Sequence, residues 1–130
     1  MKITRFHATP EGGSCFQDLE IPIDQERPDS FGFVLRQSNA WPSASIRFVK
    51  LPAGLDQSWH HAPARQLVVV LSGELEVGTS DGEKRRGNAG QVFVADDLTG
   101  KGHETRVIDG PAHVMFVELP PNFDFKHWKA

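Results

Sequence analysis

Two histidines and a glutamine are spaced so that they can share one interior. The residues Trp59, His60, His61, Ala62 and Pro63 lead into the apolar run Gln66 to Leu71, which ends at Ser72 and Gly73. An extended chain alternates its side chains with a period of two, so Gln66, Val68 and Val70 take one face and Leu67, Val69 and Leu71 the other. His60 precedes Gln66 by an even number of positions and takes the same face, provided the chain stays extended past Pro63, which has no amide hydrogen to give to a ladder. Further on, His103, Thr105 and Val107 make a second face of this kind. Two imidazoles and a carboxamide offer donors and acceptors enough to fix a carbonyl or carboxylate, and an imidazole can also exchange a proton near neutral pH. His60 and His103 are therefore the candidate catalytic acid and base, and Gln66, Val68, Val70, Phe48 and Trp59 the candidate walls of a ligand pocket.

The spacing of Gly54, His60, Ala62, Gln66 and Gly73 resembles the first motif of the cupin superfamily, in which a glycine, two alternate histidines, a glutamate and a closing glycine recur. Ala62 stands at the second His position and Gln66 at the Glu position, while Pro63 follows as it often does in that motif. A rival register puts Trp59 and His61 on the two His positions with a longer spacer. The first register keeps Gly54 in place and leaves His61 pointing away from Gln66. The second cupin motif is matched more loosely by Gly90, the strand Gln91 to Ala95 and His103, with Asp96 at a Pro position, Val107 at an Asn position and two extra residues between. The order of these motifs is similar to that of small stand-alone bacterial cupins.

The resemblance covers roughly residues 45 to 119. It implies an all-β fold, the cupin jelly-roll β-barrel or double-stranded β-helix, as a single domain over 1–130: N-terminal strands and loops over 1–44, the conserved barrel over 45–119 and a C-terminal tail over 120–130. Where the full motif is present, three histidines and a glutamate bind a divalent metal. Carried over residue by residue, this implies His60, Gln66 and His103 as a depleted ligand set for iron, manganese, nickel or zinc. Without a carboxylate the charge of the ion is uncompensated and affinity drops, with Asp96 and Asp97 the nearby acids able to supply it. A metal-free pocket for an organic ligand and a purely structural polar cluster remain open beside the metal site. Cupins include isomerases, dioxygenases, decarboxylases, storage proteins and regulator domains, so the resemblance selects no reaction. Two functions stay in play: a metal-assisted enzyme acting on a small polar or carbonyl-containing metabolite, and a non-enzymatic ligand binder or sensor.

Composition narrows the partners. A chain of 130 residues supports one core, and 12 Gly and 9 Pro with β-branched residues in short runs suit many strands and turns. The net charge of -3 leaves no basic footprint, so nucleic acid and anionic membranes are not expected, and a small ligand is. One cysteine, Cys15, excludes an internal disulfide and fits a reducing cytosol. No apolar segment of signal or membrane-spanning length occurs, so a soluble cytoplasmic protein is expected. A homodimer is expected from the apolar outer face and from a tail rich in Phe123, Phe125 and Trp128.

Along the chain, strands are read near Lys2 to His7, Cys15 to Ile23, Phe31 to Leu35, Ser45 to Leu51, Gln66 to Leu71, Val92 to Val94, His103 to Ile108 and His113 to Leu119. Ser72 and Gly73 are read as a hairpin turn with Leu75 and Val77 on the return strand, and Asp109, Gly110 and Pro111 as another turn. Ser80, Asp81 and Gly82 make a further one. Trp41 before Pro42 reads as packed under a loop, and the basic run Lys84 to Arg86 as a solvated face. Arg47 reads as lying outward over the sheet, since a lone arginine is seldom buried. His7, His113 and His127 lack a partner at ligand spacing, and Cys15 lacks a neighbouring His and is no nucleophile.

Overall fold

The computed structural model describes residues 1–128, so the last two positions of the expected tail lie outside the described residues. Ten strands follow one another: β1 (Lys2–Ala8), β2 (Ser14–Glu20), β3 (Gln25–Pro28), β4 (Val34–Gln37), β5 (Ser45–Leu51), β6 (Asp56–His60), β7 (Gln66–Gly78), β8 (Lys84–Asn88), β9 (Val92–Asp96) and β10 (His103–Glu118). A single 3-10 turn, Phe125–His127, closes the described chain. The architecture is all-β, a jelly-roll barrel.

The barrel is made by two long strands that bend together. β7 and β10 pair antiparallel along most of their length. The first half of β7 also pairs with β9 and its second half with β8. The first half of β10 pairs with β6 and its second half with β5. One wall therefore runs β2-β1-β9-β7-β10-β5 and the other β8-β7-β10-β6, with β7 and β10 passing from one to the other. The parallel pairing of β1 with β9 sets Phe6 beside Ala95.

The two expected hairpin turns are corrected to bends inside continuous strands. Ser72 and Gly73 lie within β7, and Asp109, Gly110 and Pro111 within β10. Gly73 has φ +79°, and a Cβ there would strike the backbone of Pro111 and Ala112, so only glycine lets the two strands bend this closely. The ladder between β7 and β10 shifts register at the same place. An inserted residue at a bulge reverses which side chains face inward. Val68 and Val70 therefore line the core before the bend and Leu75 and Val77 after it, and on β10 His103 and Val107 give way to Ala112 and Val114.

A second core lies on the outside of the wall that β1, β2 and β9 share. Ile3, Leu19, Ile21 and Val94 pack there under Leu119, Phe123 and Trp128 of the tail. Trp41 meets Trp128 edge-on at 5.5 Å between ring centroids, which is the packing role read for it in the sequence. The tail thus covers its own sheet. Arg5 and Arg65 hold Asp96 from two sides, at 2.5 and 2.6 Å, and Arg65 also donates to the Pro121 carbonyl, fixing the tail to the end of β9.

The strand expected over Phe31 to Leu35 is corrected in position. Phe31 lies in a turn between β3 and β4, and these two strands form a sheet of their own whose residues are all exposed.

Candidate functional site

Between the two walls lies a cavity of about 340 Å³. Its floor and sides are apolar: Phe6 from β1, Val68, Leu75 and Val77 from β7, Phe93 from β9 and Phe116 from β10. Its polar groups are His60 and Gln57 from β6, Gln66 from β7, His103 and Thr105 from β10, and Arg47 from β5. An apolar cavity of this size with a few convergent polar groups is the ordinary form of a small-molecule site.

His60 and His103 are direct cross-strand partners in the β6–β10 ladder, and their ring centroids lie 4.3 Å apart. Each ring has its Nδ1 engaged by an acceptor oxygen. His60 Nδ1 lies 2.7 Å from the Ser58 carbonyl oxygen, and His103 Nδ1 lies 2.5 Å from Asp97 Oδ2. A carbonyl and a carboxylate can only accept, so each Nδ1 donates and each neutral ring keeps its lone pair on Nε2. Both rings line the cavity, and no protein group engages either Nε2 among the described residues. Phe6 packs on the His103 ring at 4.6 Å and restricts its rotation.

Asp97 is fully buried, and its Oδ1 has no hydrogen-bonding partner among the described residues. Such an exception among buried polar groups is costly and occurs at working sites more than elsewhere. Asp97 follows directly on β9, and its own carbonyl oxygen accepts from the Ala62 amide, which ties the loop to the residue after His61. His103 is reached through Gly102, where φ is +83° and a Cβ would collide with the His60 carbonyl. Only the missing side chain lets β6 and β10 close around the two rings.

The other residues singled out in the sequence divide clearly. Gln66 and Val68 line the cavity. Val70 is buried in the same core but lies beyond the cavity, toward the bend. Phe48 and Trp59, expected as pocket walls, face outward. Phe48 is 70% exposed because β5 alternates the other way: Arg47 pairs with Phe116 across the β5–β10 ladder and both face in, while Phe48 pairs with Met115 on the outside. Trp59 precedes His60 and so takes the opposite face, where Lys101 Nζ sits 4.7 Å from its ring centroid. Arg47, read as outward, is exposed, but it also lines the cavity, since it shares its face of β5 with Val49 and Leu51, which pack on the core.

His61 is exposed and bonds through its Nε2 to the Gly100 carbonyl, leaving His60 as the inward histidine. Cys15 does have a histidine neighbour, contrary to the sequence reading: its Sγ lies 3.4 Å from His7 Nε2 across the β1–β2 ladder. Burial raises the thiol pKa, and the carboxylates of Asp81 and Glu83 add to that, so the pair favours the thiol over the thiolate.

The donors for a metal are the two Nε2 atoms and the Gln66 amide. No group of three His, Cys, Asp or Glu side chains placed to hold an ion occurs among the described residues. Asp96 is held by Arg5 and Arg65, and Asp97 stands behind His103. Two imidazoles and one carboxamide, with no carboxylate among them, make a weaker set for a divalent ion than one that includes an anionic ligand.

No protein-family model matches the chain, and no curated protein does. Solved structures do. A cupin-2 domain protein from Shewanella frigidimarina matches at 20% identity over 58% of this chain and 69% of its own, with a TM-score of 0.43. KdgF from Halomonas matches at 23% identity over 92% of this chain and 87% of its own, with a TM-score of 0.42. The cupin domain of Cnp3 from Schizosaccharomyces pombe matches at 12% identity over 92% of this chain and 82% of its own, with a TM-score of 0.47. Likeness of this degree transfers no activity. No helix among the described residues is long and apolar enough to cross a membrane.

Proposed function

We propose that this chain, a barrel of the cupin kind, is a small-molecule enzyme that moves protons on a carbonyl-containing metabolite, with His103 as the base, His60 as its acid partner and Asp97 as the residue that positions His103. One observation carries the reading: the buried Asp97 carboxylate holds His103 Nδ1 at 2.5 Å and so keeps the lone pair on Nε2 of a ring that lines the cavity. A carboxylate behind an imidazole fixes tautomer and orientation and stabilises the imidazolium that forms when the ring takes a proton.

The step is the removal of a proton from a carbon next to a carbonyl. His103 Nε2 forms the new N–H bond, the C–H electron pair moves into the carbon–carbon bond, and the carbonyl oxygen takes up charge. His60, when it carries a proton on Nε2, gives it to that oxygen. Return of a proton to carbon, at the same or another position, completes an isomerisation or epimerisation. Gln57, Gln66 and Thr105 supply neutral hydrogen bonds that orient the substrate, and the apolar wall excludes water, which strengthens each of them.

The test is deuterium wash-in. Wild-type protein in D₂O is incubated with a panel of small hydroxy-carbonyl compounds, with and without prior dialysis against a chelator, and exchange at carbon is followed by NMR. Exchange that is insensitive to the chelator and lost in His103→Asn supports the reading. Binding of a panel member to the cavity without exchange would leave a non-enzymatic binder. Exchange abolished by chelation and restored by one ion would assign the proton chemistry to a metal held by His60, Gln66 and His103. A homodimer that covers the outer apolar surface is part of the same proposal.

A further inference from the structure

The cavity wall contains no aspartate or glutamate among the described residues, yet it carries one full positive charge, that of Arg47. Arg47 is the cross-strand partner of Phe116, and both line the cavity, while Arg47 itself is exposed to solvent. Elsewhere on the barrel every arginine is met by a carboxylate. Arg5 and Arg65 share Asp96, Arg85 bonds Asp18 and Glu83, and Arg86 and Arg106 share Glu76. Arg47 is the barrel arginine with no carboxylate partner among the described residues.

A guanidinium is a planar fork of donors that matches the two oxygens of a carboxylate or phosphate, and it is always charged. Placed over an otherwise acid-free cavity, it makes the mouth attractive to anions and unattractive to cations. His60 adds to this bias whenever it takes a proton, whereas the buried Asp97 carboxylate behind His103 offsets the charge of that ring, which leaves Arg47 as the full positive charge of the cavity wall. We infer that the ligand of this cavity is a small organic anion, whose carboxylate or phosphate group is held by Arg47 while its hydroxyl or carbonyl end reaches His60 and His103. This rests on the reading of the cavity as a small-molecule site and adds the substrate class and the residue that selects it. The apolar floor made by Phe6, Val68 and Phe93 leaves no second charged group to meet, so an anionic group at one end of a short carbon skeleton fits better than a molecule charged at both ends.

The experiment uses three probes with one skeleton and three end groups: glycerol, glycerate and glycerol 3-phosphate. Each is titrated at millimolar concentration into the isotope-labelled full chain, and the Arg47 side-chain and His103 ring resonances are followed by NMR. Glycerate or glycerol 3-phosphate is expected to shift both sets while glycerol does not, and the tighter of the two anions tells carboxylate from phosphate. Arg47→Gln should weaken anion binding by about tenfold or more, since a hydrogen bond to a charged group contributes roughly 1.5–3 kcal/mol. Arg47→Lys should recover part of it. Equal response to glycerol and the anions, an anion response unchanged in Arg47→Gln, or no response to any probe overturns the inference.

The same titration of His103→Asn separates this inference from the proposed reaction. Anion binding that persists there and still depends on Arg47, in a protein that shows no wash-in, would retain the anion site and reject the proton chemistry. Wash-in on neutral compounds with no anion preference would do the reverse.

Discussion

At the scale of single residues, the site turns on which nitrogen of His103 carries the proton. Asp97 can only accept, so it holds the proton on Nδ1. Asn at the same position has nearly the same shape but can turn its NH₂ toward Nδ1, which would move the ring proton to Nε2 and remove the lone pair from the cavity. Asp97→Asn is therefore expected to invert the His103 tautomer, visible as exchanged Nδ1 and Nε2 shifts in long-range ¹H–¹⁵N spectra, and to slow proton exchange by about 10²-fold or more. An unchanged tautomer would reduce Asp97 to a structural residue. His60, Gln66 and His103 were legible in the sequence because a strand's period of two and one family spacing put them on a common face. Asp97 was named there only as a possible source of charge for a metal, since a loop has no period from which to read its direction. Arg47 was misplaced by a burial rule. The rule penalises an arginine in a sealed core, whereas Arg47 lies at an open mouth where its charge keeps solvent contact.

At the scale of elements, the site depends on how closely β6 and β10 approach and on how β7 and β10 bend. Gly102 tests the first. In Gly102→Ala the positive φ alone costs about 1–2 kcal/mol, and the new Cβ meets the His60 carbonyl, so β6 must move away from β10. Urea unfolding should show a loss above that range, and cross-relaxation between the His60 and His103 rings should weaken. A variant with wild-type stability and intact ring contacts would contradict the close approach. Glu76 tests the wall beyond the bend. It lies opposite Arg86 on β8 and Arg106 on β10, and accepts from both. The Arg106 hydrogen bond, opposed by burial and aided by Arg86, lowers its pKa below the ordinary glutamate value of 4.5. A depressed carboxylate pKa adds stability that is present above the unfolded value and is lost as pH falls through the folded one. Glu76→Gln should therefore melt earlier than wild type at neutral pH, with the difference closing below about pH 4.5. A difference that stayed constant with pH would assign the loss to packing alone. The bends were not legible because a parity change inside one strand looks, in sequence, like two strands joined by a turn. Ser72–Gly73 and Asp109–Gly110 have turn chemistry, and only the pairing of β7 with β10 across both shows them to be bends.

At the scale of the whole molecule, most of the strongly exposed apolar side chains are gathered on one strand and one hairpin. β5 ends the larger wall and so presents a sheet edge. Its outer face carries Ile46 and Phe48, exposed by 61% and 70%. The β3–β4 hairpin displays Phe31, Phe33, Val34 and Leu35, all of them exposed, and its two strands pair only with each other. A two-stranded hairpin is marginal in water without a third strand or a packed face, and an open edge strand invites pairing with another chain. Both deficits are met if a second copy lays its hairpin against the Ile46 and Phe48 face, an exchange that a two-fold axis repeats in the other direction. The sequence pointed to a dimer through an apolar outer face and the tail, but Phe123 and Trp128 are buried against their own sheet, which leaves the outer face of β5 and the hairpin as the contact. Light scattering after gel filtration should therefore give twice the chain mass. Phe48→Glu, whose site touches neither cavity nor core, should give the monomer at the same concentration, with hydrogen exchange rising first in β3 and β4. A wild-type protein with the mass of one chain would remove the second copy, and would leave a hairpin stable on its own as the feature to explain.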